Sequence, residues 1–221
     1  MAAKDTLFSE LQHRVANNLQ LAVSLIRVAQ RNLQDPVTAA ENLNHAEERL
    51  LSMSQLHRRL YGEPAFVNGL EPLLREVLSM VLHDFPVAIH TCVEDVPGLS
   101  IDQMTAIVFL VNEAALNAAK HAYSKGLGNR FDVSLTRDMR GRLILSIIDD
   151  GPGIDAQASD TRTSSLGIGI MEAFANQLGG QLEIRQGVGA SFSVAFIEHH
   201  LHTIYNTTRV RHQDRSSGGN T

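Results

Sequence analysis

The stretch Val111–Tyr123, VNEAALNAAKHAY, constrains the fold of this chain more than any other. It threads an acid, two amides, a lysine and a histidine through small apolar residues. At helical spacing Glu113 and Asn117 lie four apart, as do Asn117 and His121, so the three side chains share one helix face. That face has two readings. It is a solvated polar stripe on an ordinary amphipathic helix, or it is a wall for a metal–phosphate group. Mg2+ suits the second reading, because it takes oxygen ligands and completes its shell with phosphate oxygens and waters.

Two glycine-rich stretches downstream bear on the choice. The strand candidate Leu143–Asp149 runs into Asp149-Asp150-Gly151-Pro152-Gly153, an acid at a strand end followed by a tight glycine turn. Glycine there lets a flat ligand lie against backbone, and a carboxylate at a strand end can accept the exocyclic amine of a purine. The plainer alternative is a hairpin turn, since Asp-Gly and Pro-Gly are common turn formers. The second stretch, Ser165-Leu166-Gly167-Ile168-Gly169-Ile170, opens a helix, where backbone N–H groups make an anion site. Its alternative is close helix packing.

The rest of the chain falls into two grammars. Residues 5–34 form a helix candidate without Gly or Pro, closed by Asp35-Pro36. At about 100° per residue Leu7, Leu11, Val15, Ala22, Leu25, Ala29 and Leu33 share one arc, and His13 lies at the middle of the opposite, polar arc. A second helix is expected over Thr38–Leu60. Its residues Ala39, Leu43, Ala46, Leu50, Met53, His57 and Leu60 are spaced 4-3-4-3-4-3, a heptad seam. Two such hairpins from two chains would make a four-helix bundle, so a homodimer is expected. After Gly62-Glu63-Pro64 the pattern becomes mixed α and β. A short strand is expected at Phe66–Asn68 and a helix at Leu70–His83, followed by a strand at Val87–Val93. Ser100-Ile-Asp-Gln103 has capping-box spacing and opens the helix that ends near Tyr123. Strands follow at Arg130–Arg137 and Leu143–Asp149, then a helix from Gly167 to Leu178 closed by Gly179-Gly180. A hairpin, Gln181–Gln186 and Ala190–Glu198, turns around Gly187-Val188-Gly189.

Composition narrows the class. The chain has 221 residues, 43% apolar and 19% charged, enough for a core. A net charge of −5 leaves no basic footprint for nucleic acid. No apolar run is long enough to span a bilayer, and MAAKDTLFSELQHR has no apolar signal-peptide core. The single cysteine, Cys92, fits a reducing compartment and is expected buried in its strand. These features point to a cytoplasmic protein without membrane insertion.

The order of the pieces is more specific than any one of them. An Asn-bearing helix, Asp-x-Gly-x-Gly after a strand, Gly-x-Gly opening a helix and a glycine hairpin resemble the ATP-binding domain of histidine kinases and their gyrase, Hsp90 and MutL relatives. NEAALNAAKHA is similar to the N box of that family, DDGPG to its first glycine box and SLGIGI to its second. Upstream, His13-Arg14-Val-Ala-Asn17-Asn18 resembles the His-Arg-x-x-Asn-Asn phosphoacceptor motif of one histidine-kinase subfamily. Ala16 stands where that subfamily often has lysine. A sister subfamily marked by Trp-x-Glu is excluded, because the chain has no Trp.

The resemblance implies an α+β protein. An N-terminal helical hairpin (1–61) for dimerisation and phosphotransfer precedes an α/β sandwich ATP-binding domain of the Bergerat fold (65–198) and a disordered tail (199–221). It implies a protein-histidine kinase that uses ATP and Mg2+ to phosphorylate His13 and passes the phosphoryl group to an aspartate of a response regulator. Asn117 would ligate the metal and Glu113 would orient or deprotonate the imidazole. Asn112, Lys120 and His121 would serve the phosphate side, and Asp149, Gly151 and Gly153 the adenine. Gly167 and Gly169 would line the phosphates, and Asp155–Ser165 would form a mobile lid. Alternatives are a phosphotransfer relay without ATP use, an anti-sigma-type serine kinase, or a dimeric scaffold with nucleotide as a structural ligand. With no sensory segment before residue 5, the input would come from a partner or from a longer parent chain.

Overall fold

The computed structural model describes residues 69–153, 166–187 and 189–198, together with positions 47, 49, 51, 52, 54 and 56 of a preceding helix. After that helix come α1 (Leu70–Leu82), β1 (Ala88–Val93) and α2 (Ile101–His121). A single 3-10 turn at Tyr123–Lys125 leads to β2 (Arg130–Arg137), β3 (Leu143–Asp149), α3 (Leu166–Gln177), β4 (Leu182–Gly187) and β5 (Gly189–Phe196). The strands form one sheet in the order β1-β2-β3-β5-β4, with β1 parallel to β2 and the remaining neighbours antiparallel.

Strict alternation decides which face of the sheet is covered. Leu135, Leu145 and Val194 stand in register across β2, β3 and β5, as do Val133, Ile147 and Phe192, and all six are buried. The alternate residues Ser134, Ser146 and Ser193 line up on the other face. All three helices contribute buried residues to the core that covers the apolar face, and α2 packs against both α1 and α3. Phe109 of α2 and Phe174 of α3 stack with ring centroids 4.8 Å apart and planes 7° from parallel. The two-layer α/β sandwich expected from the sequence is therefore present.

The start of α2 is held by the capping box read from its sequence. Ser100 Oγ accepts from the Gln103 N–H at 3.1 Å, and the Ser100 N–H donates to Gln103 Oε1 at 3.3 Å. Gln103 Nε2 also donates to the Ile197 carbonyl at 2.9 Å, which ties the start of α2 to the end of β5. At its other end Tyr123 Oη donates to the Arg130 carbonyl at 2.8 Å, fixing the turn into β2.

One expectation is corrected. Cys92 lies in β1 but is exposed. β1 is an edge strand, and Cys92 pairs with Ser134 on the uncovered face of the sheet. The described positions between 47 and 56 are helical, in line with the helix expected over Thr38–Leu60. The helix expected over 5–34, the seam residues Ala39 to Leu60, the strand at Phe66–Asn68, the lid at 155–165 and the tail from 199 lie outside the described residues.

Phe174 fills the contact that holds α3 on α2. Replacing it with alanine should cost about 3–5 kcal/mol in denaturant unfolding, the range for a fully buried ring in a packed core. A loss below about 1 kcal/mol would mean that the stacked pair does not anchor α3.

Candidate functional site: the α2 face and the glycine turns

Helix α2 lies between α1 and α3 in the helical layer, and every residue from Thr105 to Ala115 is buried. The polar face read from the sequence therefore loses its water progressively along its length. Asn112 and Glu113 are buried, Asn117 is half-buried, and Lys120 and His121 are exposed in the last turn. A solvated stripe would not look like this.

Burial leaves polar groups unmatched. Among the described residues, Asn112 Nδ2 and both carboxylate oxygens of Glu113 have no hydrogen-bond partner. Arg49, on the preceding helix, places its Nε 3.2 Å from Glu113 Oε2 without hydrogen-bonding alignment. Burial pushes the Glu113 carboxyl up to about 7, and attraction to Arg49 opposes that rise. Buried polar atoms are ordinarily paired, so two groups on adjacent residues without a partner among the described residues make this a candidate place for a ligand or ion.

Asn117 faces the second glycine stretch. Its Oδ1 accepts a hydrogen bond from Arg49 Nη2 at 3.1 Å. A Cβ placed on Gly167 would stand 2.7 Å from Arg49 Nη2 and 3.0 Å from each terminal atom of the Asn117 amide. Glycine at the start of α3 is thus what allows the helix start to close onto the amide. Gly169 follows two residues on and is half-buried.

Asp149 ends β3 and is only 6% exposed. Its Oδ1 accepts from the Gly151 N–H at 2.9 Å and the Ala190 N–H at 3.3 Å. Both bonds fall on one oxygen, so Oδ2 carries no hydrogen bond from the described residues. Burial raises the carboxyl above its ordinary value, against the two backbone donors and with the help of neighbouring Asp150. A Cβ on Gly151 would sit 2.5 Å from Ala122 Cβ and 2.9 Å from Asp149 Oδ1. Gly189 has the same role on the other side, where a Cβ would collide with the Asp149 carbonyl. Gly153 stands at the end of the described turn with φ of 80°. The glycines around Asp149 are needed first for close approach of chain segments.

The structure thus brings Glu113, Asn117 and Gly167 together, and Asp149 and Gly151 together. The two groups meet through α2, because Ala122, against Gly151, lies five residues beyond Asn117, about 7 Å along the axis. His13 lies outside the described residues. Two participants were not read from the sequence. Arg49 stands off the heptad seam, and a single arginine on a helix flank gives no signal. Asp150 braces the turn before β2, its Oδ1 accepting from the N–H groups of Asn129 (2.8 Å) and Arg130 (2.9 Å). The doubled acid before Gly151 was the available clue.

These residues fit a nucleotide with a divalent cation. Among the described residues no group of three His, Cys, Asp or Glu could hold a metal ion. A metal at Asn117 would have to bring its own ligands, as one bound to triphosphate does. The orphaned Asn112 donor and Glu113 carboxylate, and the open oxygen of Asp149, are the groups such a ligand would satisfy.

The Glu113 environment has a consequence for stability. Its folded pKa lies above the unfolded value, so its contribution is intact below about 4.5 and is lost as pH rises through about 7. Glu113→Gln should therefore match the nucleotide-free wild type at pH 4.5 and exceed it by about 1–3 kcal/mol at pH 8. Denaturant midpoints at the two pH values check this, and an equal difference at both would show that Glu113 ionises without penalty.

Two family models match the chain: a histidine kinase model over residues 10–83 and the model of histidine kinase-, DNA gyrase B- and HSP90-like ATPases over residues 103–200. Sensor histidine kinase PdtaS of Mycobacterium tuberculosis is 26% identical over 194 residues, covering 84% of this chain and 38% of its own length. Blue-light-activated histidine kinase 2 of Erythrobacter litoralis is 26% identical over 188 residues, covering 83% of this chain and 54% of its own length. The chain therefore spans about half or less of the curated relatives it matches. Among solved structures, the Erythrobacter litoralis EL346 blue-light-activated histidine kinase superposes with a TM-score of 0.64 at 24% identity, covering 88% of this chain and 59% of that one. The histidine kinase domain of the same protein gives 0.58 at 18%, covering 82% and 94%. These two likenesses establish the shared fold. The two models fall on the segments that carry the His13 motif and the glycine boxes, and the chain is similar to sensor histidine kinases over most of its length.

Proposed function

We propose that this chain is the ATP-dependent kinase core of a two-component system. It transfers the γ-phosphoryl group of ATP to His13 and passes it on to an aspartate of a response regulator. The observation that carries this reading is the convergence on α2 of a buried, unsatisfied Glu113, the Asn117 amide and the glycine start of α3.

The chain's own groups divide the work. Oδ2 of Asp149 accepts the exocyclic amine of adenine, while Oδ1 stays with the backbone. Asn117 would hold Mg2+ through its amide oxygen, and the ion, when bound, would supply neutralisation of phosphate charge. Gly167 and Gly169 present backbone N–H groups at the start of α3 to phosphate oxygens, where the helix favours negative charge. Lys120 and His121, in the exposed last turn of α2, reach the same phosphates, and the Asn112 Nδ2 donor supports that face. Glu113 orients the imidazole of His13 and takes its proton, leaving the attacking ring nitrogen with its lone pair. The nitrogen–phosphorus bond forms as the bond to the ADP oxygen breaks.

Residues 1–61 are proposed to form the dimerising hairpin that presents His13, and the cytoplasm is the proposed compartment. No helix among the described residues is long and apolar enough to cross a membrane.

Incubation with γ-labelled ATP and Mg2+ tests the reading. The label should be acid-labile and base-stable, and should fall to background in both His13→Gln and Asn117→Ala. An acid-stable, base-labile label would establish the serine-kinase alternative instead. Tight nucleotide binding with no label at all would leave the scaffold, and neither binding nor label would leave the relay.

A further inference from the structure

Arg49 belongs to a helix outside the sheet-and-helix unit, yet its guanidinium lies across the two polar groups of the α2 face. Nε is 3.2 Å from Glu113 Oε2 and Nη2 is 3.1 Å from Asn117 Oδ1. Only 16% of the Arg49 side chain is exposed, and the Glu113 side chain beneath it is fully covered. Two turns further along, Leu56 is buried in the same core cluster, so this helix is anchored at two points on one face. Gly167 closes the site from the α3 side, its missing Cβ leaving room for Nη2.

A carboxylate oxygen and an amide oxygen side by side are a donor set for a hard cation. A guanidinium, with its fixed fork of N–H donors, can span both at once. A doubly charged ion brought to the same amide oxygen would face a full positive charge a few ångströms away in a partly dry site, where repulsion is poorly screened. The two cations compete for one place. This argument rests on the reading of Asn117 as the metal-binding amide.

We propose that Arg49 is an intramolecular plug. In the nucleotide-free protein it takes the place of the divalent cation at Asn117, and a Mg2+–nucleoside triphosphate must expel it, releasing the helix that carries it. Expulsion also uncovers Glu113, so the carboxylate becomes accessible only after nucleotide has bound. A ligand that binds only the unplugged state has its affinity reduced by the fraction of molecules in that state.

Calorimetric titration of wild type, Arg49→Met and Arg49→Lys with Mg-ATP tests the plug, together with hydrogen exchange over residues 47–56. Arg49→Met should bind Mg-ATP about tenfold more tightly than wild type. Arg49→Lys should fall between, because a compact ammonium keeps the charge but lacks the fixed fork that meets both groups. Saturating Mg-ATP should speed exchange over 47–56 in wild type, and in Arg49→Met exchange should be fast without nucleotide. Equal or weaker binding by Arg49→Met would overturn the proposal, since Arg49 would then be a brace or a phosphate ligand. Unchanged wild-type exchange at saturating Mg-ATP would also overturn it, and needs no variant to fold. Failure of wild type and both variants to bind Mg-ATP would remove the kinase reading, and the plug with it.

Discussion

Burial of the Glu113 carboxylate inside α2 is the constraint on which the rest of the site depends. A carboxyl with no hydrogen bonds in a dry environment opposes folding when it ionises, and the surrounding core has to outweigh that cost. It does so by volume. Thr105 to Ala115 are buried without a break, the Phe109–Phe174 stack clamps α3 against the helix, and the sheet supplies three in-register apolar strands beneath. The expensive group sits where the scaffold is best able to hold it, as is common at functional sites.

The same helix gives the site its length. Asn117 meets the start of α3 on one side, and Ala122 meets the Asp149 turn about 7 Å further on. Both junctions require glycine, and for the same reason: a Cβ on Gly167 or Gly151 would occupy space already taken by Asn117 or Ala122. The two glycine stretches thus set the distance between the ends of the candidate site by letting backbone approach α2.

Much of this was legible in the residues. β2 and β3 begin and end where their alternation begins and ends, and the Ser100 capping box opens α2 as its spacing implied. Gly179, with φ of 76°, closes the chain after α3 as a glycine following a helix should. What stayed hidden depends on contacts distant in sequence. Whether Cys92 is covered depends on which strand lies at the sheet edge. The service of Asp150 to the N–H groups of residues 129 and 130 depends on how the α2–β2 turn folds back. Arg49 reaches Glu113 across more than sixty residues of chain, and no local pattern distinguishes it from arginines that stay in solvent. Glu113 itself was read as one member of a polar face, and only the packing of α1, α3 and the sheet around α2 shows that it is the driest.

The most direct test of this account is an NMR titration of the Glu113 side-chain carboxyl carbon in the nucleotide-free protein. A buried, unsatisfied carboxyl opposed only partly by Arg49 should titrate with a midpoint of about 7. A midpoint at the ordinary value of 4.5 would contradict it, because Glu113 would then be solvated and the α2 face no more than a polar stripe.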